Sequence, residues 1–81
     1  MRIKIVNDGR VIEGTALQIV QQMQSVAFGK DDRAVADYVD WVAAEVGRLM
    51  DVSLDVKGNT GDERARSLVD EMLRTGLAEK L

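Results

Sequence analysis

The sequence predicts a small α+β domain with the element order β-β-α-α-β-α, in which a three-stranded antiparallel sheet has three helices packed on one face. Two patterns support this prediction. Apolar and polar residues alternate near the N-terminus and again at 52–56, and apolar residues recur at helical spacing in three longer segments. At 81 residues, with 46% hydrophobic and 31% charged residues, the chain is expected to form one small domain, 1–81.

The first 13 residues predict a β-hairpin. Asp8-Gly9 is a dipeptide that favours a two-residue type I′ turn between strands. Counting outward from that turn gives three cross-strand pairs: Val6–Val11, Ile5–Ile12 and Lys4–Glu13. This pairing turns the isoleucines towards the core and leaves Val6 and Val11 on the outer face of the sheet.

Two helices are predicted to follow the hairpin. Thr15 and Gln18 form a T-x-x-Q capping box, so the first helix is expected from Thr15 to Phe28. The second is expected to start from a cap at Asp31 or Asp32 and to run to about Met50. Gly47 weakens its last turn. Its inward stripe at helical spacing contains Val35, Tyr38, Val39, Val42, Val46 and Leu49.

Residues 52–56, VSLDV, alternate strictly and predict a third strand that lies beside strand one. The last helix is expected at 61–75, because Thr60 and Glu63 form a second capping box and Gly76 suits a left-handed C-cap. On its surface, opposite charges four residues apart are expected to pair as Arg66–Asp70 and Asp70–Arg74.

The predicted core combines the inward positions of all these elements. Its members are Ile3, Ile5, Ile12, Ile19, Val20, Met23, Val35, Val39, Val42, Val46, Leu54, Val56, Leu68, Val69 and Met72.

The composition excludes several kinds of chemistry. The chain has no cysteine and no histidine, which removes disulfides, cysteine or histidine zinc sites, thiol nucleophiles and imidazole bases. No serine lies in a nucleophile-elbow context and no cofactor fingerprint is present. The aspartates at 31, 32, 37 and 40 lack the spacing of an EF-hand loop and predict a solvated face with a helix cap. The chain is therefore not expected to be an enzyme, and neither a cofactor nor a metal is predicted.

Charge and hydropathy indicate where in the cell the protein is located and which classes of binding partner are disfavoured. The net charge of −3 marks an acidic protein and disfavours a dedicated nucleic-acid binder. The N-terminus is charged within its first four residues and has no long apolar run, so neither a signal peptide nor a membrane span is predicted. Together with the absence of cysteine, this favours a cytoplasmic location.

Trp41 is the first candidate binding residue. At 100° per residue it lies about 120° from the centre of the inward stripe of its helix, and Leu17 and Phe28 are similarly displaced on the first helix. These flanks either pack against each other between the two helices or form an apolar surface for a protein partner or a second copy. Val6 and Val11, on the outer sheet face, are candidates for the same role.

The stretch Lys57-Gly58-Asn59-Thr60-Gly61 is the second candidate, because free N–H groups at a helix entrance can bind anions. It lacks the spacing of a Walker loop or a dinucleotide fingerprint, and Asp62 and Glu63 follow at once. The favoured interpretation is a turn with a capped helix. The alternative is weak nucleic-acid or anion binding at these five residues together with nearby basic residues, among them Arg2, Lys4 and Arg10 of the hairpin.

Two segments, GTALQIVQQM at 14–23 and YVDWVA at 38–43, resemble short bacterial proteins of uncharacterised function. In those proteins a hairpin leads into a "GT…IV..M" helix and then a "Y..WVA" helix. The resemblance implies a bacterial or phage origin and carries over no activity, cofactor or site residue. The residues themselves predict a non-catalytic interaction or regulatory module that binds a protein partner, or itself as a homodimer, through the Trp41 flank or the outer sheet face.

Overall fold

The computed structural model describes residues 1–26 and 34–81. The elements in chain order are β1 (Arg2–Ile5), β2 (Val11–Glu13), α1 (Ala16–Val26), α2 (Val35–Met50), α3 (Gly61–Thr75) and β3 (Ala78–Lys80). The sheet order is β2-β1-β3, and both strand pairs are antiparallel. The α+β class, the three-stranded antiparallel sheet and the three helices are therefore confirmed.

The third strand lies elsewhere than predicted, so the element order is β-β-α-α-α-β and not β-β-α-α-β-α. Residues 52–56 belong to no strand, and Ala78–Lys80 pairs with β1 instead. The alternation of apolar and polar residues shows which side chains face the core, but it does not show which groups the backbone N–H and C=O bond to. The Ala-Glu-Lys sequence of β3 has no β-branched or aromatic residue, so propensity gave no signal there.

The hairpin register is shifted by two residues from the predicted one. The observed pairs are Arg2–Glu13, Ile3–Ile12 and Lys4–Val11. A type I′ turn needs positive φ at both central residues, and only Gly9, at 74°, has it in this loop. The loop therefore takes four residues, 6–9, and is closed by the Ile5 N–H donating to the Arg10 carbonyl at 2.8 Å. A shift of two keeps every side chain on its predicted face.

Both predicted capping boxes are present. The Gln18 N–H donates to Thr15 Oγ1 at 3.1 Å, and the Thr15 N–H donates to Gln18 Oε1 at 2.9 Å. The same reciprocal pair joins Thr60 and Glu63 at the start of α3. The predicted left-handed cap at Gly76, with φ of 81°, ends that helix.

α2 starts from a different cap than the predicted one and ends at Met50, as predicted. Ala34 occupies the N-cap position, while Asp31 and Asp32 lie outside the described residues. At the other end the helix continues through Gly47, and Asp51 terminates it in the left-handed conformation with φ of 54°. Leu49, predicted to be buried, is 67% exposed in the last turn.

The core lies between the sheet and the helices. α1 and α3 contact the sheet, and α2 packs on both of those helices. The fully buried apolar residues are Ile3, Ile12, Ile19, Val20, Tyr38, Val39, Ala65, Leu68, Val69, Met72 and Ala78. The remaining predicted core residues except Val46 pack against this cluster while half-buried: Ile5, Met23, Val35, Val42, Leu54 and Val56.

Gly47→Ala is expected to stabilise the protein by about 1 kcal/mol, the usual difference between glycine and alanine inside a helix. A Cβ at this exposed position would lie 3.8 Å from the carbonyl oxygen of Val52, an ordinary contact. Urea denaturation measures the free energy of unfolding. The matched control is Gly76→Ala, which must destabilise because its φ of 81° suits glycine. A loss of stability in Gly47→Ala would contradict the packing described for α2.

Candidate interaction site

The segment that follows α2, residues 52–57, is held by α3 and is called the edge segment below. Four side chains of α3 bond to its backbone and to the next residue. The contacts are Arg74 Nη2 to the Ser53 carbonyl (3.3 Å), the Asp55 N–H to Glu71 Oε1 (2.8 Å), the Lys57 N–H to Ser67 Oγ (2.8 Å) and Arg64 Nη1 to the Gly58 carbonyl (3.3 Å). As the residue number rises along the edge segment, the residue number of its partner in α3 falls. The segment and the helix therefore run antiparallel.

The spacing of these contacts shows that the edge segment is extended. From residue 64 to residue 74, a helix rises about 15 Å. Five residues of extended chain, from 53 to 58, cover about 16–17 Å. The burial pattern agrees, because Val52, Leu54 and Val56 are half-buried while the residues between them are exposed. The edge segment therefore has the geometry of a β-strand laid against a helix.

One edge of this strand-like segment has no hydrogen-bond partner within residues 1–26 and 34–81. Backbone groups of alternate residues in an extended chain point to opposite edges, and α3 bonds only to those of residues 53, 55 and 57. Within the described residues, no backbone hydrogen bond involves Val52, Leu54 or Val56. We call this unpaired row of N–H and C=O groups the open edge.

A groove of about 240 Å³ runs beside the start of the edge segment. Its α2 wall is made of Ala43 and Gly47, and its other wall includes Val52 and Leu54. A Cβ at Gly47 would lie 3.8 Å from the carbonyl oxygen of Val52, so the missing side chain keeps α2 clear of that oxygen. The small residues of α2 thus leave space next to the open edge.

The turn at 57–61, the predicted anion site, already contains a carboxylate of the protein. Glu63 Oε1 accepts the N–H of Asn59 at 2.9 Å and that of Thr60 at 3.3 Å. A Cβ at Gly58, which has φ of 118°, would lie 2.7 Å from the Glu63 Cβ. The glycine therefore permits the close approach of Glu63. Lys57 pairs with Asp55 at 3.4 Å.

The groove that contains this turn is acidic. It has a volume of about 560 Å³ and lies between the edge segment and the outer side of α3. Its charged residues are five acids, Asp55, Asp62, Glu63, Asp70 and Glu71, and two bases, Lys57 and Arg66. An excess of carboxylates repels phosphate groups.

Glu71 is the carboxylate most perturbed by the site. A hydrogen bond from the Arg74 side chain, followed by one from the backbone N–H of Asp55, lowers the pKa of Glu71 to about 2. The predicted Asp70–Arg74 pair is wrong, because Arg74 instead contacts Glu71 at 2.8 Å. Among the described residues, Arg66 and Asp70 form no ion pair within 4.0 Å.

Arg64 joins three parts of the molecule. Besides its bond to the Gly58 carbonyl, it forms an ion pair with Asp40 of α2. Asp40 is thus paired rather than only solvated, whereas Asp37 is exposed. In residues 1–26 and 34–81, no group of three acidic side chains could hold a metal ion.

The Trp41 flank is partly packed into the core. The Trp41 ring stacks on Tyr38 with centroids 6.0 Å apart and an interplanar angle of 29°. Trp41 and Leu17 are both half-buried against the central cluster, while Phe28 lies outside the described residues. Burial raises the pKa of Tyr38. A partner-binding role for this flank stays a prediction.

Val6 and Val11 are each 47% exposed but do not face each other. Val6 lies in the loop, where its N–H donates to the Leu77 carbonyl at 3.0 Å. Val11 lies opposite Lys4. The rest of the outer face carries charges of opposite sign in register, Arg2 with Glu13 and Lys4 with Glu79. Such a face is suited to water.

No protein-family model, curated protein or solved structure matches this chain. In the part of the chain that the structure describes, no helix is long and apolar enough to cross a membrane.

The sequence reasoning missed the four α3 side chains that hold the edge segment: Arg64, Ser67, Glu71 and Arg74. Their spacing of three, four and three residues places them on one stripe of the helix, which was a detectable signal. What the spacing could not show is that an extended segment would cover that stripe.

Glu71→Gln is expected to weaken the dependence of stability on acid. The pKa of Glu71 is lowered on folding, so its contribution is present above about pH 4.5 and is lost as the pH falls towards 2. In that interval the wild type should take up about one more proton on unfolding than the variant does. Urea denaturation across the interval measures this difference.

The Arg74→Gln variant serves as the companion to Glu71→Gln. Arg74 is the largest cause of the shift, so its removal should raise the pKa of Glu71, as measured by carboxyl ¹³C chemical shifts. If the pKa of Glu71 stays near 2 in Arg74→Gln, the Arg74 contact is not its cause.

Proposed function

We propose that this chain is a non-catalytic protein-interaction module that binds an extended partner segment along its open edge. The observation that supports the proposal is the edge segment itself, a strand-like stretch that is hydrogen-bonded on one side only among the residues that the structure describes. Strand addition to an exposed edge is a recurring mode of peptide recognition, in which main-chain hydrogen bonds supply affinity and side-chain pockets supply specificity.

The surroundings of the open edge favour this use. Val52, Leu54 and Val56 present their N–H and C=O groups in a row, and the edge segment is held in place by α3 before any partner arrives. A preformed backbone reduces the entropy cost of binding. The groove beside Ala43 and Gly47 leaves room for an incoming chain.

The Trp41 flank and the outer sheet face have less support as the binding surface. Trp41 and Leu17 already pack against the core, and the outer face consists largely of opposite charges in register. We therefore place the interaction at the open edge and retain those surfaces as secondary predictions.

Weak nucleic-acid or anion binding at 57–61 is the alternative. It would require the ligand to displace the Glu63 carboxylate from the N–H groups of Asn59 and Thr60. A titration with a mixed oligonucleotide pool at low salt tests it. Binding that Lys57→Ala abolishes and that falls steeply with salt would favour the alternative over our proposal.

Val56→Pro tests the proposed function. Proline removes an outward N–H that has no partner among the described residues, and its ring obstructs strand pairing. Linear heptapeptides selected from a displayed library on the immobilised wild type should bind Val56→Pro at least about tenfold more weakly, as the loss of one hydrogen bond and added steric repulsion predict.

The matched control is Val56→Ala, which shortens the same side chain but keeps the N–H, and which should retain peptide binding. Urea denaturation of both variants shows that each is folded at the assay temperature. If the selected peptides bind Val56→Pro as tightly as Val56→Ala, the open edge is not the binding site.

A further inference from the structure

We propose that the partner at the open edge is a second copy of the same chain, so that two edge segments pair antiparallel about a twofold axis at Leu54. This inference rests on the proposed function, since it uses the same edge, and it goes further by naming the occupant. A twofold interface requires one surface patch to be complementary to itself. The edge segment meets that requirement in one register.

In this register Leu54 lies opposite Leu54 of the second copy, and Val52 lies opposite its Val56. In an antiparallel ladder, residues that point their N–H and C=O groups at the partner occur at every second position. These are the residues whose backbone groups have no partner within the described chain. The residues that must form hydrogen bonds across the twofold axis are therefore the same residues whose N–H and C=O groups are still available.

Charge selects this register over its neighbours. It places Ser53 opposite Asp55 of the second copy, so that no like charges meet. A slip of two residues in one direction would place Asp55 opposite Asp55, which is unfavourable because side chains directly opposite each other are close. A slip of two in the other direction would leave only residues 52–54 paired. The centred register pairs residues 52–56 without repulsion.

The pairing is expected to be weak and to depend on concentration. Five residues from each chain form a small contact, and small interfaces are typical of transient complexes. The partly buried side chains of Leu54 and Val56 already pack on the core of their own chain. Main-chain hydrogen bonds and the exposed residues 53 and 55 therefore decide the affinity.

Ser53 provides a matched pair of variants. Its side chain is exposed, and its hydrogen bond to Arg74 uses the backbone carbonyl, which substitution retains. Ser53→Lys would face Asp55 of the second copy twice by symmetry, and Ser53→Asp would bring like charges together twice. Relative to wild type, the dimer dissociation constant should fall in Ser53→Lys and rise in Ser53→Asp, each by about 2- to 30-fold.

Sedimentation equilibrium over a concentration series up to the millimolar range measures these constants, and urea denaturation shows that the variants remain folded. The reverse order of affinities would indicate the slipped register, in which Ser53 faces Lys57 of the second copy, and would overturn the proposed one. A wild type that is monomeric at millimolar concentration would overturn self-pairing altogether.

Amide hydrogen exchange identifies the surface through which the two copies pair. The N–H groups of Leu54 and Val56 should become protected only at concentrations where the dimer forms. Those of Asp55 and Lys57, already bonded to α3, should be protected at every concentration. A dimer without the concentration-dependent protection would pair through another surface and would contradict the proposal.

The two proposals fail in different ways. If the chain stays monomeric while selected peptides bind the wild type and lose affinity for Val56→Pro, self-pairing is wrong and the proposed function stands. If peptides fail to bind and the amides of Leu54 and Val56 never become protected, both are wrong.

Discussion

The hydrogen bonds that α3 makes to the backbone of residues 53–58 determine how the rest of the chain is arranged. A buried or half-buried backbone needs partners for its N–H and C=O groups, and an alternating segment ordinarily finds them in a sheet. Here Ser67, Glu71 and Arg74 supply them from the side of a helix. The second edge of β1 is thereby left for β3, which reaches it directly after α3.

This arrangement gives the acidic residues of the region a structural role. Glu63 and Glu71 each accept backbone N–H groups from the segment that precedes α3. A carboxylate that receives such bonds is stabilised in its charged form. Residues that could suggest a metal or phosphate site when read one at a time are therefore fixed as internal acceptors. The glycine at 58 serves the same purpose, since it lets Glu63 approach.

The functional proposals follow from what α3 does not cover. Proteins usually protect exposed strand edges with bulges, prolines, inward charges or a covering element. The edge segment has no proline, and the helix beside its start presents Ala43 and Gly47. The charged residues 55 and 57 are exposed, and the backbone groups of residues 52, 54 and 56 have no hydrogen-bond partner in the described part of the chain. Such an edge is a template for another extended chain, and the order of charges along it is compatible with a second copy.

Local signals in the sequence were sufficient for the parts of the fold that local chemistry controls. The capping boxes at Thr15 and Thr60 and the glycine cap at 76 placed helix ends correctly, because each depends on residues within one turn. The predicted inward and outward faces were also correct in the hairpin and in the edge segment, since an alternation of apolar and polar residues reports burial.

The predicted hairpin register was wrong, because the loop conformation depends on φ at Asp8 as well as at Gly9. Only the tertiary structure decided that the backbone of residues 53–58 bonds to α3 and that Ala78–Lys80 completes the sheet. Hydrogen-bond partners distant in the chain leave no periodic signal, and a strand of three residues such as β3 is specified by the edge it meets.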